Sequence, residues 1–414
     1  MGRWEFLHYS LRHYELLLYE SLGELCTKFF CLGVSSAKAG VIEDARVHTG
    51  THIQMFLQDL HDRFLLLLLQ VSSRVLLEEK GHGDVLTYRD LGKYAYGNVG
   101  RSVVDALILI SQSGCCVVYL IFIGQNLSSI FTSNAYRQAL FIFVMLPLQI
   151  LLSFVRSLSG LAPFSIVADI CNLLAFGIIV KDDFSSLQRA QGVIAFQSWS
   201  RVPFALGVAV FAYEGFGMTL ALEASMKRPY LFSRVLAYAF VLITVAYVAF
   251  GLIGYLAFSD QTRDIITLNL PHDWSTVVVK MGLCIALAFT LPVMMYPVHE
   301  ILVSKLVTST FYKRKVEAHP IYGRFLIDIT RIVMLLLVGV IAIMIPTFGV
   351  FISFIGNTVC AILGFVLPAF FHLRVFKGSI STCRWAVDFI LIGVGIAFAT
   401  YGVGMVCWDS VNKV

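Results

Sequence analysis

The feature that most constrains this chain is a series of long apolar runs that begins at Ser102 and continues almost to the C-terminus. A helix needs about 20 apolar residues to cross the hydrocarbon core of a bilayer. Because backbone N–H and C=O groups find no water there, helices with internal backbone hydrogen bonds are the expected spanning elements. The runs predict an all-α polytopic membrane protein with nine spans, near 102–124, 138–155, 162–180, 202–222, 235–258, 275–298, 325–346, 349–371 and 386–408.

The composition supports this fold class and argues against several functions. Hydrophobic residues make up 58% of the chain and charged residues 14%, which is more apolar than the core of a soluble domain requires. The net charge of +5 comes from Lys and Arg clustered between apolar runs, so it indicates membrane orientation and no nucleic-acid partner. The nine cysteines are scattered without a CxxC pair, as expected for small buried residues. We find no HExxH motif, no glycine-rich phosphate loop and no catalytic constellation, so we expect no enzymatic activity, metal or cofactor.

The first 101 residues differ from the rest of the chain. Six of the ten histidines precede residue 83, and no apolar run there is long enough to span a bilayer. Apolar and charged residues alternate over 5–32, which fits either an amphipathic helix on the membrane surface or a partly disordered segment. We therefore predict an atypical N-terminal region (1–101), a transmembrane domain (102–408) and a short C-terminal tail (409–414).

The Lys and Arg residues of the loops predict how the spans are oriented. Alternate loops carry thirteen such residues on one side and six on the other, and the richer side is expected to face the cytosol. Span 102–124 then starts on the cytosolic side, and the C-terminus lies on the non-cytosolic side. The same orientation makes Asn126, in an Asn-Leu-Ser sequence, a candidate acceptor for glycosylation.

An acidic residue lies in the middle of span 202–222, where Glu214 is followed by Gly215 and Gly217. A carboxylate at the centre of a span costs about 2.5–3.5 kcal/mol on insertion scales, so something must compensate it. Glycines let a helix loosen, and helices interrupted at mid-membrane are typical of substrate sites in transporters. The other interpretation is that the glycines serve close helix packing.

Other polar residues in the spans also allow more than one interpretation. Asp169 lies mid-span and serves either a hydrogen bond between helices or a proton relay. Lys280 is expected to snorkel from near a span end. His372 is expected to lie at the membrane interface, and the other interpretation is that it carries a proton. Polar and proline residues recur mid-span in Phe289–Glu300 and Phe354–Pro368, which favours a binding site.

Five sequence strings follow one another in order, each at a similar place relative to a span. They are SQSGCCVVYLIFIGQNL (Ser111–Leu127), YEGFGMTLALEASMKRP (Tyr213–Pro229), GYLAFSDQTRDIITLNLP (Gly254–Pro271), FTLPVMMYPVHEI (Phe289–Ile301) and FIGNTVCAILGFVLPAFFHL (Phe354–Leu373). Together they resemble the amino acid/auxin permease family, and within it the plant vacuolar branch for neutral and aromatic amino acids. The resemblance covers roughly residues 86–408.

This resemblance implies a fold, an activity and a set of partners. The fold is a LeuT-like (APC) inverted-repeat helical bundle of two five-helix repeats and one further helix. The activity is secondary active transport of neutral or aromatic amino acids with protons, by alternating access, across an endomembrane that we expect to be the vacuolar membrane. The implied partners are an amino acid substrate, protons and the lipid bilayer, with the proton gradient as the energy source.

The resemblance also implies which residues contact the substrate and carry the proton. The substrate-binding candidates are five residues of the broken span and three of other spans: Tyr213, Glu214, Gly215, Phe216 and Gly217, with Gln112, Tyr119 and Thr290. The proton-coupling candidates are Glu214 and Asp169.

The chain departs from the family pattern before its fourth span. If 202–222 opens the second repeat, five spans should precede it, and the sequence predicts three. We therefore expect an N-terminally incomplete bundle that lacks the first two family helices, one of which faces the broken span. The alternative hypothesis is a truncated product that does not transport, or a membrane partner that senses amino acids.

Overall fold

A computed structural model describes residues 87–131, 138–154, 158–186, 201–215, 220, 226, 231–310, 312–313, 320–345, 347–376 and 382–412. Nine helices follow one another in this part of the chain: α1 (Tyr88–Phe131), α2 (Gln138–Ser153), α3 (Leu158–Ser186), α4 (Val202–Ala212), α5 (Phe232–Phe258), α6 (Trp274–Thr308), α7 (Pro320–Met344), α8 (Phe348–Val375) and α9 (Thr382–Asn412). Most of the predicted N-terminal region lies outside the described residues.

The predicted spans and the helices agree closely, because each of the nine predicted spans overlaps one helix. Six of the described helices, α1 and α5 to α9, contain stretches long and apolar enough to cross a membrane. The apolar helices α2 and α4 are shorter, with 16 and 11 residues. The protein is therefore an all-helical polytopic membrane protein in its described part, and the count of nine spans stays a prediction.

The backbone separates into two compact units. The described parts of the first unit are 108–182 and 267–348, and those of the second unit are 87–107, 183–266 and 349–412. The second half of α1 thus belongs to the first unit, together with α2, most of α3, α6 and α7. The second unit contains the start of α1 and the helices α4, α5, α8 and α9.

Small side chains let α1 and α6 approach closely in the first unit. Cys116 Sγ lies 4.0 Å from the carbonyl oxygen of Leu291, and Cys284 Sγ lies 4.0 Å from that of Ile123. Both cysteines are buried and free. Their interpretation as small buried residues is therefore confirmed, and their role is to let helices pack without a bulky side chain between them.

Polar side chains of the first unit bond to the backbone of neighbouring helices. Gln149 on α2 donates from Nε2 to the carbonyl oxygen of Ala288 on α6 at 3.1 Å. Arg331 on α7 donates from Nη1 to the carbonyl oxygen of Ser153 at 2.8 Å. Ser153 is the last residue of α2, where carbonyl groups lack helical partners and the helix dipole attracts a cation. The contact explains how α7 accommodates an arginine within its length.

The start of α1 is sharply bent. The backbone leaves helical geometry at Gly97, whose φ of +64° is in the region that favours glycine. The bend brings Gly92 against Gly100, so that a Cβ on Gly100 would collide with the Gly92 carbonyl group. Across the bend, Arg89 Nε donates to Asp105 Oδ1 at 2.6 Å. Helical structure therefore begins at Tyr88, well before the predicted start of the first span at residue 102.

The central contact of the second unit joins α4 to α8. The middle of α8 contains two wide, π-helical turns, Gly356–Cys360 and Ile362–Val366. The first turn places Gly356 directly against Gly207 of α4, and a Cβ on Gly356 would overlap the Gly207 carbonyl oxygen. Both glycines are therefore required, because the backbones of the two helices touch at this point. α4 packs against the wide turn of α8.

We predict that Gly356→Ala lowers the unfolding temperature of the purified protein in detergent. A methyl group there meets backbone that has no flexible side chain to move aside, and overpacking of this kind costs about 1–3 kcal/mol. The matched control is Gly393→Ala on α9, where a Cβ would meet nothing within 4 Å in the described part of the chain. An equal effect of the two substitutions would contradict the contact.

Candidate functional site

The helix α4 ends inside the apolar segment that the sequence predicts as span 202–222. Its last helical residue is Ala212, and Tyr213 and Glu214 close the end with backbone N–H bonds to the carbonyl oxygens of Ala209 and Phe211, at 3.2 and 3.1 Å. Gly215 follows outside the helix. The loosening of the helix at Glu214 and Gly215 is thus present in the structure.

Tyr213 is anchored by one face of α5. Its hydroxyl group shares a hydrogen bond of 2.7 Å with Thr244 Oγ1. Its ring stacks on Phe240 with a centroid distance of 5.6 Å and meets the edge of Tyr247 at 5.5 Å. These three α5 residues follow the spacing i, i+4 and i+7, which places them on one side of a helix. The sequence carried that spacing, but did not indicate which helix it faces.

The two residues after Tyr213 have opposite exposures. Glu214 is 8% exposed, so its carboxyl group lies within the protein. Gly215 is exposed, and a Cβ added to it would meet no heavy atom within 4 Å in the described part of the chain. A buried acid therefore adjoins open space at the helix end. Phe216 and Gly217, the other predicted residues of this segment, lie outside the described residues.

The predicted residues of the first unit lie near the contact between α1 and α6. Gln112 and Tyr119 are both buried and flank Cys116 along one face of α1, and Cys116 touches α6 at Leu291, next to Thr290. Thr290 is buried, and its hydroxyl group donates to the carbonyl oxygen of Ala286 at 2.9 Å. The α1–α6 contact thus organises these side chains, whereas Tyr213, Glu214 and Gly215 belong to the second unit.

Asp169 on α3 is partly exposed, and its Oδ1 atom is buried without a hydrogen-bond partner in the described part of the chain. The hydrogen bond between helices that one interpretation expected for Asp169 is not formed among these residues. Its carboxyl group therefore keeps the capacity to take up a proton or a polar ligand.

The comparisons with known proteins decide the family. The sequence profile described as transmembrane amino acid transporter protein matches residues 65–407, which include every predicted site residue. The chain belongs to this family. The chain is also 41% identical to amino acid transporter ANT1 of Arabidopsis thaliana over 349 residues, which cover 82% of this chain and 80% of the relative.

Two further relatives extend the comparison. Amino acid transporter AVT3C of Arabidopsis thaliana is 36% identical over 84% of this chain and 80% of its own length. Vacuolar amino acid transporter 3 of Schizosaccharomyces pombe is 26% identical over 76% of this chain. The match covers 48% of this yeast relative, so the chain spans about half its length.

For a member of an amino acid transporter family, the end of α4 offers suitable binding chemistry. An amino acid presents an ammonium and a carboxylate group, which backbone carbonyl and N–H groups at an interrupted helix can hold. Among the described residues, no heavy atom lies within 4 Å of the position of a Cβ on Gly215, which leaves room for a ligand there. Tyr213 and the α5 rings provide an aromatic wall beside it.

Two expectations for the first unit are wrong. Lys280 does not snorkel, because its side chain is 2% exposed and Nζ donates to Ser129 Oγ at 3.0 Å. Asn126 is not an accessible glycosylation acceptor in this structure. It is fully buried, Nδ2 donates to the Phe122 carbonyl oxygen at 2.9 Å, and Oδ1 accepts from Thr267 Oγ1 at 2.5 Å. Both polar groups are part of the packing between segments far apart in sequence.

We predict that Tyr213 and Thr244 are energetically coupled. A double-mutant cycle with Tyr213→Phe and Thr244→Val should give a coupling free energy of about 0.5–1.5 kcal/mol in unfolding, the usual value of a buried neutral hydrogen bond. The substitution Tyr213→Phe keeps the ring and its aromatic contacts, so the cycle isolates the hydroxyl group. Strictly additive effects would show that the hydrogen bond does not hold the helix end.

Proposed function

We propose that this protein transports neutral or aromatic amino acids together with protons across the vacuolar membrane by alternating access. The observation that carries the proposal is the helix end at Ala212, where buried Glu214 adjoins the open space at Gly215. Family membership supports amino acids as the substrate class. The vacuolar location is supported by the relatives from two yeasts, Schizosaccharomyces pombe and Saccharomyces cerevisiae, which are named vacuolar amino acid transporters.

The surroundings of the helix end support uncharged substrates. The rings of Tyr213, Phe240 and Tyr247 present apolar area and one hydrogen-bonded hydroxyl pair. An anionic substrate side chain would lose hydration there beside the carboxyl group of Glu214, whereas an aromatic side chain would gain ring contacts. In the first unit, Gln112, Tyr119 and Thr290 are further proposed substrate contacts.

Glu214 is our first candidate for the transported proton, and Asp169 is the second. A carboxyl group within a membrane span is costly when charged, so its protonation can change with its surroundings during transport. Glu214 is buried and adjoins the proposed substrate position. Asp169 has a buried oxygen without a hydrogen-bond partner in the described residues.

The test is uptake of labelled phenylalanine into proteoliposomes under an imposed pH gradient, applied in both directions. We expect the wild-type chain to accumulate phenylalanine and a protonophore to abolish accumulation. Gly215→Leu should reduce uptake about tenfold or more, since a loss of roughly 1.4 kcal/mol in substrate affinity has this effect. The matched control is Gly404→Leu, an exposed glycine of α9 with equally open surroundings, which should retain uptake.

The same proteoliposomes distinguish a loss of proton coupling from a loss of substrate binding. Glu214→Gln should keep amino acid exchange without a gradient and lose gradient-driven accumulation, because glutamine has the shape of glutamate and does not ionise. No gradient-dependent uptake by the wild-type chain, beside an active member of the family, would contradict transport. Substrate binding without uptake would favour the alternative of a non-transporting sensor.

A further inference from the structure

A buried histidine and a buried aspartate form a pair in the second unit, away from the end of α4 in sequence. His372 lies in the last turn of α8, and Asp388 lies near the start of α9. His372 Nδ1 and Asp388 Oδ2 are 2.8 Å apart, and the two side chains are only 3% and 1% exposed. The ring of His372 is therefore enclosed and bonded to a second helix, and its position at the membrane interface stays a prediction.

The pair is incomplete as a hydrogen-bonded unit. The second carboxylate oxygen, Asp388 Oδ1, is buried and has no hydrogen-bond partner in the described part of the chain. A fully buried carboxylate with one hydrogen bond from a neutral imidazole would carry an uncompensated negative charge, which is costly. One added proton removes that cost, since it makes the pair either imidazolium and carboxylate or imidazole and carboxylic acid, both neutral overall. The burial thus couples the pair to proton uptake.

An aromatic ring packs against the histidine of the pair. The Phe376 ring lies 4.5 Å from the His372 ring. On the other side of α8, Phe371 meets the rings of Tyr88 and Tyr96 at the start of α1, at 5.6 and 6.2 Å. The Phe376 ring packs against the His372 ring without supplying a charge.

Of the charged and titratable groups on the helices around the pair, several on α1 and α8 have other partners or are exposed, and one arginine of α9 precedes Asp388 by one helical turn. On α1, Arg89 bonds to Asp105, Asp90 bonds to Thr87, Lys93 is exposed, and the Tyr88 hydroxyl group donates to the Leu363 carbonyl oxygen. On α8, Arg374 donates to the Ala95 carbonyl oxygen at 3.3 Å. On α9, the nearest charged residue in sequence is Arg384, four positions before Asp388. Within the described residues, neither member of the pair forms a second ion pair.

The position of the pair suits exchange of a proton with water. Both residues lie at the helix ends nearest the 376–381 connection, so they share one side of the unit. In the orientation predicted from loop charge, this side faces the cytosol. His372 Nε2, the ring nitrogen not bonded to Asp388, is the atom from which a proton would leave or to which it would return.

We infer that His372 and Asp388 together form a proton-binding site that takes up and releases one proton in each transport cycle. The inference rests on the proposed proton-coupled transport. It adds a further proton-binding site to the two proposed above, Glu214 and Asp169. On release, the Nε2–H bond breaks, the proton passes to water, and the pair changes from neutral to a single negative charge. A pair that only fastens α8 to α9 would need no such change, so the two roles differ in what they predict.

The test replaces the pair with groups that keep its hydrogen bond and cannot titrate. In His372→Gln with Asp388→Asn, two amides can still bond between α8 and α9. We expect exchange of labelled phenylalanine at equal pH on both sides to stay within about twofold of wild type. Gradient-driven accumulation should fall about tenfold or more, as expected when an ionisable residue on a proton path is neutralised. The matched control Tyr88→Phe removes one hydrogen bond of the same region and should keep both activities.

The pH profile provides a readout that needs no substitution. Exchange by the wild-type chain should depend on pH, and the double variant should lose that dependence. A double variant with wild-type accumulation, or a flat wild-type profile, would overturn the inference and leave transport standing. A wild-type chain without any exchange would remove the proposed function, and the inference with it.

Discussion

A helix that ends inside an apolar segment releases backbone groups that lipid cannot satisfy, and this requirement governs the second unit. α4 stops at Ala212, and the first residues beyond it turn their N–H groups back onto the helix. The body of α4 is held by α8, whose Ser353 and Asn357 side chains donate to α4 carbonyl oxygens at 3.1 Å. Contact between Gly207 and Gly356 fixes the distance between the two helices. The helix end is thus kept in place by its neighbours, and the exposed Gly215 follows it outside the helix.

Several polar side chains bond to helices that are distant in sequence. Arg331 caps the end of α2, and Lys280 bonds to Ser129. The groups with a buried oxygen that lacks a hydrogen-bond partner in the described residues include the acids Asp169 and Asp388. In an amino acid transporter, a buried carboxyl group with few hydrogen bonds is useful. Its charged form is weakly stabilised, so a proton can bind to it and change the charge of the site at a small cost in free energy. The molecule therefore separates rigid polar contacts from groups that can change state.

The sequence predicted elements whose signals are local. Apolar runs of about 20 residues located the helices, because hydrocarbon thickness alone sets that length. Glycines beside Glu214 located the helix end, because both oppose a regular apolar span. Pairings between helices were not predictable. Tyr213 and Thr244 lie 31 positions apart and His372 and Asp388 lie 16 apart, so each contact depends on which helix faces are neighbours. The predictions for residues 1–86 lie outside the described residues.

The central claim is that the open helix end binds an uncharged amino acid. Isothermal titration calorimetry of the purified chain in lipid nanodiscs measures this directly, with phenylalanine and lysine as the titrants at equal concentration. The account predicts stronger saturable binding of phenylalanine than of lysine, because the aromatic rings around Tyr213 offer contacts to a substrate ring. Saturable binding of lysine alone, or of neither amino acid, would contradict it.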